Sequence, residues 1–142
     1  MTGLTEFKSR RGILACGAAE AFSFVSDLRN FQQFTNDVKV DDLKVESDSC
    51  SFNISPVGEV ALSILRKIPA KEVYYTGSLL KSNDFSLLLE LDENGDGKAV
   101  VALTVQADLN PVLRMIAAKP VEQFLERLIG EMEKFRNWND II

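Results

Sequence analysis

The sequence predicts an α+β domain in which a curved antiparallel sheet of about seven strands grips a long C-terminal helix. Three observations point there. Apolar residues recur at every second position through a first segment and then through six successive stretches between residues 38 and 109. Two short helical patterns interrupt the strands after the first one. From Asn110 onward the period changes from two to that of an amphipathic helix.

Leu4 to Ala15 reads as the first strand, with Phe7, Ser9, Arg11 and Ile13 on one face and Lys8 and Arg10 on the other. Gly17 is placed to cap a helix with Glu20 in its first turn, and Ala18, Ala21, Phe22 and Val25 fall on one helical stripe. Asp27 or Asn30 then breaks this helix and caps a second short one, whose buried face is Leu28, Phe31 and Phe34.

The next strand spans Val38 to Glu46, and its apolar phase changes at Asp41-Asp42, which suggests a bulge. Cys50, Phe52 and Ile54 alternate with Ser51 and Asn53, and Pro56 and Gly58 make a turn. Val60, Leu62, Ile64 and Ile68 share a face before Pro69 breaks the chain, and Val73, Tyr75 and Leu79 resume the pattern. Phe85, Leu87, Leu89 and Leu91 follow, then a turn over residues 92–97, then Val101, Leu103, Val105, Ala107 and Leu109. Alternation this regular means one buried and one wetter face, as in antiparallel meanders. The last helix opens with Asn110 as N-cap and Pro111 as first residue; Val121, Phe124, Leu125, Leu128, Met132 and Phe135 form its stripe. Pro120, which cannot donate to the helical ladder, is expected to kink that helix or divide it.

Composition limits the chemistry. At 142 residues the chain has the length of one domain, 1–142, and its 46% apolar and 26% charged content suits a folded core without disulfides or metal. A net charge of −5 argues against nucleic acid, and the one basic cluster, Lys8, Arg10 and Arg11, has the alternation of a strand. Cys16 and Cys50 stand apart, without the spacing of a zinc site, and read as free thiols in a reducing, cytoplasmic compartment. Arg10-Arg11 before Gly12-Ile13-Leu14-Ala15-Cys16 imitates a lipoprotein processing site, but the apolar run is too short for an export signal, and no run is long enough to span a membrane.

Several motifs fail on inspection. Asp92-x-Asn94-x-Asp96-Gly97 imitates the start of a calcium loop, yet the twelfth position is Leu103 inside a strand, so it reads as a hairpin turn. Asn53-Ile54-Ser55 is a glycosylation sequon that is idle without export. The chain has no histidine, which removes histidine-activated nucleophiles and the commonest metal ligand. Acidic residues fall in turns or, like Glu90 and Asp108, out of phase with the apolar face, so no inward carboxylate pair is visible. No metal or cofactor is expected.

The order of one strand, two short helices, about six strands and a long C-terminal helix resembles the START/Bet v 1-like superfamily, also called SRPBCC or the polyketide cyclase/dehydrase and lipid-transport group. The resemblance covers nearly the whole chain. Its most telling stretch is Ala18-Ala19-Glu20-Ala21-Phe22-Ser23-Phe24-Val25-Ser26-Asp27-Leu28-Arg29-Asn30-Phe31, which looks like the family's helix pair; residues 110–138 look like the gripping helix. These are marks of a fold, the helix grip, and no catalytic residue is carried over with them.

What the resemblance implies is a cavity between the sheet and the helix that takes a small hydrophobic molecule such as a lipid, isoprenoid or polyketide-like compound. The inward face carries Phe52, Ile54, Leu62, Ile64, Tyr75, Leu87, Leu89, Leu103 and Val105. Pro120 is a hinge at which a mouth over Pro111 to Lys119 opens, lined by Leu113, Met115 and Ile116. Alternation points Arg66 and Arg11 inward, where a carboxylate or a ligand anion must pair them, unless Arg66 reaches water from a strand end. Tyr75 offers its hydroxyl either to a ligand or to a backbone carbonyl. The expected ligand-binding set is Phe52, Ile64, Arg66, Tyr75, Leu87, Leu89, Leu103, Leu113, Met115 and Ile116. Two further readings remain: a cyclase or dehydratase using Arg11, Arg66 or Tyr75, and a protein-interaction module. Leu65, Tyr74, Leu88, Val100 and Ala102 on the outward phase leave a homodimer open.

Overall fold

The helix at the chain's end and the strand at its start approach more closely than ordinary side chains allow, and the architecture is arranged around that contact. The computed structural model describes residues 5–35, 40–55, 57–79 and 83–138. The first strand is split into β1 (Thr5–Lys8) and β2 (Gly12–Ile13). Helix α1 (Ala18–Val25) and a 3-10 helix (Leu28–Phe34) follow. A meander comes next: β3 (Asp41–Val45), β4 (Ser49–Ile54), β5 (Gly58–Ile68), β6 (Glu72–Leu79), β7 (Asn83–Glu93) and β8 (Ala99–Ala107). The long helix α2 (Pro111–Lys134) closes the fold. All pairings are antiparallel, in the order β1-β8-β7-β6-β5-β4-β3, with β2 beside β1 on β8, and the sheet does not close on itself. Among the described residues no helix is long and apolar enough to cross a membrane. The expected strand starts at Leu4 and Val38 and the turn residue Pro56 lie outside the described residues.

Local chemistry sets the boundaries. Glu20 reaches back to the Gly17 amide, closing α1 at its start. Asp27 caps the 3-10 helix by accepting from the Arg29 amide at 2.9 Å, and the Asn110 side chain accepts from the Leu113 amide at 2.8 Å to start α2. The turn after Glu93 is closed by the Asn94 side-chain oxygen, which accepts from the amides of Asp96 and Lys98, with Gly97 at φ +81°.

Three bulges decide which side chains face inward. The one expected near Asp41-Asp42 is present, with Asp42 at φ 54° and the β3–β4 register shifted between Asp41 and Lys44. The other two overturn expectations. Lys8 pairs Thr104 but Gly12 pairs Val101, so three residues of the first strand face two of β8, and Ser9 occupies the gap by bonding the Leu103 backbone. The extra residue inverts the phase: Gly12 and Leu14 turn inward, while Arg11 and Ile13 turn out and are exposed. Likewise Ile64 pairs Tyr75 and Arg66 pairs Tyr74, with Leu65 as the extra residue. Arg66 and Ile68 therefore leave the inward face, and the Arg66 guanidinium lies over the Tyr74 ring, 5.2 Å from its centroid. Alternation pointed both arginines inward, with water at a strand end left open for Arg66; Arg11 is out and Arg66 takes the solvent alternative.

Helix α2 runs unbroken through Pro120, so the expected division is not observed. Its second half packs hard on the sheet. Leu125, Leu128, Ile129 and Met132 are buried. Beyond the helix, Trp138 is 1% exposed, packed edge-on to Phe24 at 5.2 Å and against Phe34 and Phe135. A Cβ on Gly12 would sit 2.7 Å from Ile129 Cγ2, and Ile129 has no exposed surface into which to retreat. Next to that contact Arg10 bonds Glu126 at 2.9 Å and Glu133 at 2.7 Å, while Glu133 also accepts from the Ile13 amide at 3.0 Å. The outward face is mixed: Tyr74 pairs Leu88, but Ala102 lies opposite Glu90 and Val100 opposite Asp92, so charges interrupt the apolar residues.

Two outcomes follow. Gly12→Ala is expected to lower unfolding stability by about 1–3 kcal/mol through overpacking, read by urea denaturation followed by Trp138 fluorescence. The hydrogen bond from Arg10 holds the Glu133 carboxyl below its ordinary value, so its contribution is complete above about pH 4.5 and is lost as pH falls further. Glu133→Gln should therefore lower the melting temperature at pH 7 and bring it closer to wild type below pH 4; a constant difference across that range would contradict the assignment.

Candidate functional site

The helix and the sheet do not meet along their whole length. Between them lies a cavity of about 130 Å³ whose wall is almost wholly carbon. Its floor is the alternating inward face of the sheet, with Phe52 and Ile54 from β4, Val60 and Leu62 from β5, Tyr75 and Leu79 from β6, Phe85, Leu87 and Leu89 from β7, and Leu103 and Val105 from β8. Its roof is Ala117, Val121, Phe124, Leu125, Leu128 and Met132 of α2, and one end is closed by Val25, Leu28, Asn30, Phe31 and Phe34. Phe85, Leu87 and Val105 are half-buried although they point inward, because part of their surface faces this space.

Of the residues expected to bind a ligand, Phe52, Tyr75, Leu87, Leu89 and Leu103 line the cavity together. Ile64, Arg66, Leu113, Met115 and Ile116 do not. Ile64 sits at the bulge that turns β5 outward, and Arg66 beyond it is in solvent. Met115 (81% exposed) and Ile116 (45%) lie on the first turns of α2, which project past the sheet. The region around Pro120 instead carries a second depression, formed by Ile54, Ser55, Lys119, Pro120, Gln123, Phe124 and Arg127. Ile54 and Phe124 belong to both spaces, so their side chains form the partition between depression and cavity. Phe124 is stacked on Phe52 at 5.7 Å, and Phe31 leans on both rings, at 5.6 Å from Phe52 and 6.4 Å from Phe124.

Sequence reasoning placed Phe31 and Phe124 on apolar stripes without seeing that they line the cavity, and it missed Asn30 there altogether. Asn30 is 1% exposed; its Nδ2 donates to the Phe24 carbonyl at 2.9 Å. The signal was an amide side chain within a run of apolar helix positions, which a cap explains equally well. The Tyr75 hydroxyl donates to the Val25 carbonyl at 3.2 Å, the second of the two roles open to it.

The titratable groups on the wall are Asp27 and Tyr75. Hydrogen bonds from the Arg29 guanidinium hold the Asp27 carboxyl below its ordinary value. Burial, with the neighbouring Cys50, pushes the Tyr75 phenol well above its own. Among the described residues no group of three or more acidic, cysteine or histidine side chains is arranged to hold a metal.

No protein-family model matches the sequence, and no curated protein matches it. Solved structures do. A START superfamily protein from Mycobacterium smegmatis superposes with a TM-score of 0.64 at 11% identity, over 93% of this chain and 99% of that one. Ara h 8.0201, a Bet v 1-like protein, gives 0.59 at 14% identity, over 94% and 100%. DynU16, encoded in the dynemicin biosynthetic locus, gives 0.62 at 11% identity; 91% of this chain is covered but 46% of DynU16, so the chain spans about half of its length. Identities this low speak to the fold, and on the fold they agree: this chain has the helix-grip architecture of the START/Bet v 1-like (SRPBCC) proteins.

Burial pushes the Cys50 thiol up to about 12 and the Cys16 thiol, also near Glu20, up to about 11. Both are buried and free. Neither should react with a disulfide reagent at pH 8 in native protein, and both should react at once in denaturant; rapid labelling of the native form would place a thiol at the surface.

Proposed function

We propose that this chain binds a small, neutral, largely apolar molecule in the cavity between its sheet and its C-terminal helix. The observation that carries the reading is the wall itself: about 130 Å³ of space bounded by aliphatic and aromatic side chains from six strands and three helical segments. A dry apolar cavity of about 150 Å³ accommodates a benzene-sized guest, so the space suits one ring or a short branched chain. A longer lipid or isoprenoid enters only if Ile54 and Phe124 swing aside and join the cavity to the depression beside Pro120. A carboxylate or phosphate inside is disfavoured, because Asp27 is the charged residue on the wall and, among the described residues, no cation lines it to pair a ligand anion.

Binding is favoured over catalysis by the protonation states on the wall. A general acid or base works near its own pKa. Asp27 is ionised and engaged by Arg29, and Tyr75 stays protonated at any neutral pH.

The test uses toluene as probe. It should raise the thermal midpoint of the wild-type protein in a concentration-dependent way. Leu87→Trp, which fills the space from the β7 side, should abolish that rise while leaving the unliganded midpoint unchanged or higher. No rise in wild type would overturn the reading. Native mass spectrometry of the purified protein, with denaturing analysis of its solvent extract, then identifies any molecule that co-purifies.

A further inference from the structure

The cavity wall carries one polar group whose hydrogen bonding is incomplete. Asn30 Oδ1 is buried and meets no donor among the described residues. Its orientation is settled by chemistry: Nδ2 faces the Phe24 carbonyl at 2.9 Å, and exchanging the two ends of the amide would set oxygen against oxygen. Buried acceptors in native proteins are paired in the great majority of cases, so an unpaired one on a cavity wall points to a partner that arrives with the occupant.

We propose that the occupant carries a hydroxyl whose hydrogen is donated to Asn30 Oδ1, making the ligand class a phenol or a compact alcohol. This rests on the cavity reading above and specifies it. The other polar atom at this end supports the same sign. The Tyr75 hydroxyl spends its proton on the Val25 carbonyl and so has only lone pairs left to offer. At this end of an otherwise carbon wall the unmet need is for a donor. Water answers that need poorly, because a buried water requires two to four polar partners and leaves the surrounding carbon surface unfilled. A hydroxyl on an apolar body satisfies the oxygen and fills the space with one molecule. Oδ1 has almost no surface open to the cavity, so the donor reaches it as neighbouring side chains give way.

The experiment compares phenol, toluene and anisole by titration calorimetry. Phenol and toluene differ by hydroxyl against methyl, and anisole keeps the oxygen without the donor. In an apolar cavity lacking a partner toluene binds tighter, because the phenol hydroxyl loses its water. The expected result for wild type is phenol at least as tight as toluene and about tenfold tighter than anisole, with Asn30→Leu shifting the phenol-to-toluene ratio about tenfold toward toluene. Toluene binding tighter than phenol in wild type would overturn the proposal and leave the apolar cavity standing. Binding of none of the three would overturn both. The wild-type comparison stands on its own should Asn30→Leu fail to fold.

Discussion

The close approach of α2 to the first strand at Gly12 is the constraint on which the rest depends. Glycine lets Ile129 and Glu133 come to the strand backbone, and the Arg10 ion pairs and Trp138 hold the same half of the helix down. A 24-residue helix is about 36 Å long. Pinned at one end on β2 and β8, it must stand away from a sheet whose twist carries the remaining strands out from under it. The cavity lies between Ala117, Val121, Phe124, Leu125, Leu128 and Met132 of the helix and the inward face of the sheet. The exposed Val112, Met115 and Ile116 are the far end of the same lever. The cavity is thus a consequence of where the helix is fastened.

The alternation of the strands was legible because each has one buried face, and eight of the nine residues expected inward do line the cavity. The exception and the misplaced arginines share one cause. A bulge adds a residue and inverts every later position, and a sequence reveals it only when the apolar phase visibly breaks. It breaks at Asp41-Asp42, where two acids interrupt the pattern. It does not break at Ser9 to Arg11, because Phe7, Ser9, Arg11 and Ile13 fit an uninterrupted strand. At Leu65 the phase is masked by Ile64 and Ile68, which suggest a continuity that the pairing of Arg66 with Tyr74 refutes.

Whether the inward residues fill a solid core or border a space was not legible at all. Leu87 and Val105 carry the same pattern signal as Val101, yet the first two are half-buried on the cavity and Val101 is fully buried away from it. The difference is set by the distance to a helix more than a hundred residues from the chain's start, and that distance depends on Gly12. Periodicity encodes which face is apolar; it carries no information on how far away the opposite layer stands.

The polar atoms on the wall follow from the same geometry. The end of α1 turns toward the cavity, and its last carbonyls need donors. Asn30 supplies one to Phe24 and Tyr75 supplies another to Val25. Each side chain thus directs its hydrogen at the helix end and its lone pairs elsewhere. The carboxylate of Asp27, at the same end, is tied to Arg29. A helix terminus closed by side chains in this way leaves Asn30 Oδ1 buried without a donor beside an apolar space, which is the need the proposed hydroxyl would meet.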